Sequence, residues 1–123
     1  MTTTMMPKLT LKRGDVVLVL FPNSNLSFAK TQPALIVQAD DLQTEILQII
    51  VAMITSQMFR ARHPSRVTIL LNSSEGKQSG LLTDSVVMTD NLATIVLSAV
   101  YRVIGSLPTQ NIDVALKHTL GLQ

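Results

Sequence analysis

The stretch Asp15-Val16-Val17-Leu18-Val19-Leu20-Phe21-Pro22-Asn23-Ser24-Asn25-Leu26-Ser27-Phe28-Ala29-Lys30-Thr31-Gln32-Pro33-Ala34-Leu35-Ile36-Val37 decides the fold class. Its first seven residues are short, nearly all apolar and rich in valine, and Pro22-Asn23-Ser24-Asn25 stops them, so they read as a buried strand entering a loop. A second strand is predicted over residues 34–39, opening after Pro33, because proline is tolerated at the first residue of a strand and not at its centre. Residues 22–32 then form the intervening loop.

The same signals recur downstream. Residues 47–54 form a third apolar run that ends at Thr55-Ser56-Gln57, residues 65–71 a fourth, and Val86-Val87-Met88 the centre of a fifth. A last strand is predicted over residues 101–104, and residues 72–80 read as a turn-rich loop. The period then changes: Ile112, Ala115, Leu116, Thr119 and Leu120 recur at helical spacing, with Pro108-Thr109 as a start and Gly121 as a stop. Short strands, one closing helix and no βαβ alternation predict a mainly β chain with a C-terminal helix, folded as a small antiparallel barrel.

A chain of 123 residues accommodates one core, expected over residues 12–123 behind a flexible leader of residues 1–11. Hydrophobic residues make up 46% and aromatics 3%, so aliphatic side chains and methionine must fill that core. The formal charge of +2 permits nucleic-acid binding through a shaped patch but excludes a polycationic tail. There is no cysteine, which excludes disulfides and thiolate metal sites, and no apolar run long enough to cross a bilayer. A cytoplasmic, non-membrane protein without metal or cofactor is the expectation.

Several segments together carry a resemblance. Arg13-Gly14-Asp15-Val16-Val17, the Lys-x-x-Pro-Ala-Leu-Ile-Val element at residues 30–37, Ile54-Thr55-Ser56, Gly80-Leu81-Leu82-Thr83-Asp84-Ser85-Val86-Val87, and Arg102-Val103-Ile104-Gly105-Ser106-Leu107 before a helix ending Leu120-Gly121-Leu122 occur in the order found in MazF/PemK toxins. Over roughly residues 12–122 the chain resembles that family. The resemblance implies an SH3-like barrel of the MazF/PemK/CcdB type, a homodimer, metal-independent cleavage of single-stranded RNA, and a cognate antitoxin threaded over the RNA site.

Such cleavage proceeds by attack of a ribose 2′-hydroxyl on the adjacent phosphate, which requires proton transfer and stabilisation of developing negative charge. The resemblance places two residues in those roles: a threonine, here Thr55 with Ser56 beside it, and an arginine before the proline of the second strand. Gln32 occupies the arginine position. Its amide donates hydrogen bonds but carries no charge and does not titrate, so weak or absent cleavage is expected. Natural degeneration, a detoxifying substitution and a shift of the charge to Lys30, two residues away on the same face of an extended segment, all account for it. Thr55 also has a plain structural reading, a hydroxyl bonded to the backbone at a strand end.

Candidate RNA contacts are Arg13 and Lys30 on phosphate, Phe28 for base stacking, Arg60 and Arg62 in a cluster with Arg66 and His63, and Asp90. Each has a structural alternative: a solvated loop for the arginines, a loop anchor for Phe28, a turn for Asp90. Asp90 stands where some relatives carry a catalytic acid, but the arginine they carry two residues earlier is Met88 here. Two other functions fit the same residues: a non-catalytic toxin acting on DNA gyrase, as CcdB relatives do, and a plain nucleic-acid-binding module.

Overall fold

Val16, Val17 and Val19 of the first strand are fully buried although they point alternately to opposite faces. Both faces of the sheet are therefore covered at this strand, which is why it reads as a continuous apolar run instead of an apolar–polar alternation. A computed structural model of the chain describes residues 10–22 and 29–123. The leader expected over residues 1–11 lies, up to residue 9, outside the described residues, as does Phe28.

The elements are β1 (Asp15–Pro22), β2 (Ala29–Ile36), β3 (Gln48–Thr55), β4 (Arg66–Ile69), α1 (Ser74–Ser79), β5 (Ser85–Val96), β6 (Val100–Ser106) and α2 (Gln110–Leu120), with single 3-10 turns at Met58–Arg60 and Leu97–Ala99. The strands form one antiparallel sheet in the order β4-β5-β3-β2-β1-β6. Val16, Leu35, Ile54, Val87, Leu107 and Ile112 pack together in one cluster, and Val17, Val19, Ala34, Ile36, Val51 and Val100 in another.

The mainly β class and the C-terminal helix are as expected, but the barrel is not. The sheet is open: β4 and β6 are its two edges and do not pair with each other. Helices pack beside both edge strands. α1 packs on β6, where a Cβ on Gly105 would stand 2.3 Å from the Ser79 carbonyl carbon, and α2 packs on β4 and β5. Local strand patterns do not reveal which edges meet, because tertiary packing sets that.

Two boundaries also differ. β2 begins at Ala29 and carries Pro33 in its interior, opposite Leu18. This is possible because β3 pairs only with Ala34 to Ile36, so at Pro33 one side of the strand needs no donor. Within residues 72–80 lies α1, capped by Ser73, whose Oγ accepts from the Gly76 N–H at 3.0 Å, and ended by Gly80 at φ +74°. α2 follows the expected period: Ile112 and Ala115 are buried, and burying an isoleucine contributes about 1.5–3 kcal/mol. Leu120 of that helix is exposed. No helix among the described residues is long and apolar enough to cross a membrane.

Candidate active site

From Ala29 to Pro33, β2 is paired with β1 alone. Its other side opens on a groove of about 590 Å³, and Lys30, Thr31, Gln32 and Pro33 form that wall. The end of β3 forms the opposite wall with Thr55, Ser56 and Gln57, while Leu18 of β1, Arg102 and Ile104 of β6, and residues 80–83 complete the lining. Lys30, Gln32, Thr55 and Ser56 thus stand on one groove, Lys30 and Gln32 alternating along one face of β2.

Thr55 makes the backbone bond that its structural reading expects. Its Oγ1 accepts from the Gln57 N–H at 3.1 Å, which fixes the turn after β3. With a lone pair so engaged, the hydroxyl hydrogen remains to be donated toward the groove.

A break in the β5 register shapes the floor. Ala52 pairs with Leu92 but the next residue, Met53, pairs with Met88, so Thr89, Asp90 and Asn91 bulge out of the ladder with β3. Thr89 turns inward, its Oγ1 donating to the Ser65 carbonyl at 2.6 Å, and Asn91 lines the groove. Asp90 faces Arg66, at 2.7 Å from Nη2 and 3.3 Å from Nε. That guanidinium holds the Asp90 carboxyl below its usual range against a smaller opposing effect of burial. The pair's contribution to stability is therefore whole above the ordinary carboxylate value of about 3.9 and disappears as the pH falls through the lower folded-state value.

Arg60 and Arg66 border a second hollow that shares Thr55, Gln57, Met88 and Asn91 with the first, so the two form one continuous track. Arg60 Nε donates to Gln57 Oε1 at 3.3 Å, and its guanidinium carbon lies 5.2 Å from the Phe59 ring centre. Arg62 lines neither hollow.

Arg13 does not reach the groove. Its Nε donates to the Val37 carbonyl at 2.9 Å and its Nη2 to Asp113 Oδ1 at 2.6 Å, which clamps the start of β1 to α2. Arg13→Ala is expected to lower stability by about 1 kcal/mol, read as a shifted urea midpoint. An unchanged midpoint would show that the clamp contributes nothing. Arg102 and Asn91 line the groove without having been singled out from sequence, because their place depends on strand order and on the bulge.

Among the described residues no three potential metal-ligating side chains gather. Comparison with curated proteins returns no match. Among solved structures, an endoribonuclease in complex with its cognate antitoxin from Mycobacterial species is similar, with a TM-score of 0.70 and 21% identity over 93% of this chain and 98% of that one. The Mycobacterium tuberculosis toxin MazF-mt6 gives 0.67 and 22% over 89% and 98%, and a MazE-MazF structure from Deinococcus radiodurans 0.67 and 15% over 92% and 97%. At these identities the likeness establishes the fold. Membership comes from the sequence itself: residues 12–119 match the family described as PemK-like, MazF-like toxin of type II toxin-antitoxin system, and the chain belongs to that family.

Proposed function

We propose that this chain is the toxin of a toxin–antitoxin pair, a metal-independent endoribonuclease that takes single-stranded RNA along the groove and acts slowly as its sequence stands. In the step itself the ribose 2′-oxygen bonds to phosphorus and the bond from phosphorus to the 5′-oxygen breaks. The products are a 2′,3′-cyclic phosphate and a 5′-hydroxyl. The observation that supports this reading is the convergence of Lys30, Gln32, Thr55 and Ser56 on one groove from β2 and the end of β3. Thr55 donates its hydroxyl hydrogen to a phosphate oxygen, with Ser56 beside it, and Lys30 supplies charge.

The groove lining among the described residues contains no carboxylate and no histidine. The 2′-hydroxyl proton passes to water and the leaving 5′-oxygen takes one from water, because Gln32 does not titrate and Asp90, in the adjoining hollow, is tied to Arg66. This is the physical basis for slow cleavage. The partner is a small antitoxin that covers the groove, in line with the complex of a similar endoribonuclease with its cognate antitoxin, and the toxin acts as a homodimer.

The test is to induce the protein as it stands and its Gln32→Arg form in parallel and to map 5′-hydroxyl RNA ends. New ends are expected at least with the Gln32→Arg form, and their absence from both sinks the ribonuclease reading. Asp90 is held ionised by Arg66, so it cannot donate a proton near neutrality, and both its oxygens accept from that guanidinium, so it is poorly placed to take one from RNA. In the Gln32→Arg form, Asp90→Asn is accordingly expected to leave the pH dependence of initial cleavage rates unchanged between about pH 5 and 8. Loss of a limb of that profile would give Asp90 a proton-transfer role.

A further inference from the structure

We infer that Arg102 is the phosphate anchor of the groove, its guanidinium supplying from β6 the positive charge that position 32 on β2 lacks. The inference rests on the RNA-binding reading above and assigns a residue that reading does not use.

Most of the arginines near the track are already engaged. Arg66 is held by Asp90, Arg60 by Gln57 and the Phe59 ring, and Arg13 is tied to Asp113. The cations that line the groove itself are Lys30 and Arg102. Arg102 is exposed and, among the described residues, its side chain forms no ion pair.

Strand register gives its position. Arg102 stands opposite Leu18, and Leu18 stands opposite Pro33, the neighbour of Gln32. Directly opposed residues in adjacent strands point to the same face, so Arg102, Leu18 and Pro33 form one row across β6, β1 and β2, spanning two strand spacings or about 10 Å; Gln32, next to Pro33, faces the other way, and the two reach one groove because both faces of β2 line it at its unpaired edge. The row ends where the unpaired stretch of β2 begins to line the groove. Leu18 and Ile104 place apolar surface beside the guanidinium, and no carboxylate of the lining competes for it. A planar fork of donors in such a setting suits the bidentate geometry of a phosphodiester, which a lysine ammonium at the same place does not reproduce.

The test uses the full chain and a fluorescent single-stranded 2′-O-methyl RNA, which the proposed chemistry cannot cut. Affinity is measured by anisotropy across a range of salt concentrations. Arg102→Gln is expected to weaken binding about tenfold and to reduce the slope of log affinity against log salt by about 0.7, the loss of one phosphate contact on a single strand. Arg102→Lys should keep the slope and lose part of the affinity, and Lys117→Gln, which removes a cation that lines neither hollow, should change neither. Adding Gln32→Arg to the Arg102→Gln chain should recover part of the lost affinity and slope. An Arg102→Gln chain that binds with unaltered affinity and slope overturns the inference, as does a Gln32→Arg addition that recovers nothing. If the unsubstituted chain does not bind the oligonucleotide at all, the RNA reading itself fails and this inference with it.

Discussion

Gln32→Arg should accelerate RNA cleavage at least tenfold, and by as much as about 10² to 10⁴ if the position contributes as a full acid–base or oxyanion-type group. Around it, Thr55 is fixed by its turn with a donor hydrogen to spare, and Lys30 lies two residues along the same strand. Gln32 is exposed on a stretch of β2 with a single strand neighbour, so an arginine can be introduced without overpacking the core. A guanidinium there adds a fixed charge next to the developing phosphorane, where the amide offers only a neutral dipole. Single-turnover rates on a labelled oligonucleotide measure the gain, with thermal melting as the control for an unaltered fold. A rate within threefold of the starting protein would mean that position 32 does not limit the chemistry.

Gly80→Ala is expected to cost about 3 kcal/mol or more, because two penalties coincide. Gly80 has φ +74°, and a Cβ there would stand 1.9 Å from the Ile104 carbonyl oxygen, so backbone must move away from backbone. Gly121 separates the two effects. It has nearly the same conformation, φ +70°, but nothing within 4 Å of its added Cβ. Gly121→Ala should therefore cost only the conformational part, about 1 kcal/mol. Urea unfolding of the two variants side by side gives the difference. Equal losses would show that the contact between α1 and β6 yields without strain.

These positions also show what the sequence could and could not disclose. Strands β1 and β3 and the start of β5 around Val86-Val87-Met88 were legible because their residues are buried on both faces, and α2 because Ile112 and Ala115 keep the helical period. The first half of β2 was not: Ala29-Lys30-Thr31-Gln32 is polar and ladder-paired on one side only, and its proline argued for a boundary. α1 was hidden in a polar run although Ser73 and Gly80 are ordinary helix caps. The open sheet could not be anticipated, since which strand edges meet is set by tertiary packing that local strand patterns do not encode. For the site, Gln32, Lys30, Thr55 and Ser56 do share one groove, whereas Arg13 had the charge expected of a phosphate contact and serves as a clamp. Arg102 lay in a strand already recognised, but only the order of strands brings it to the groove.

The half-paired stretch of β2 has an evolutionary consequence. Residues from Ala34 onward are locked between two strands and buried, so drift there is penalised through folding. Gln32, two residues earlier, projects from the same strand outside that protection. Selection for a well-folded protein is therefore blind to position 32, and under the function proposed above a single codon change there would alter potency while the scaffold persists.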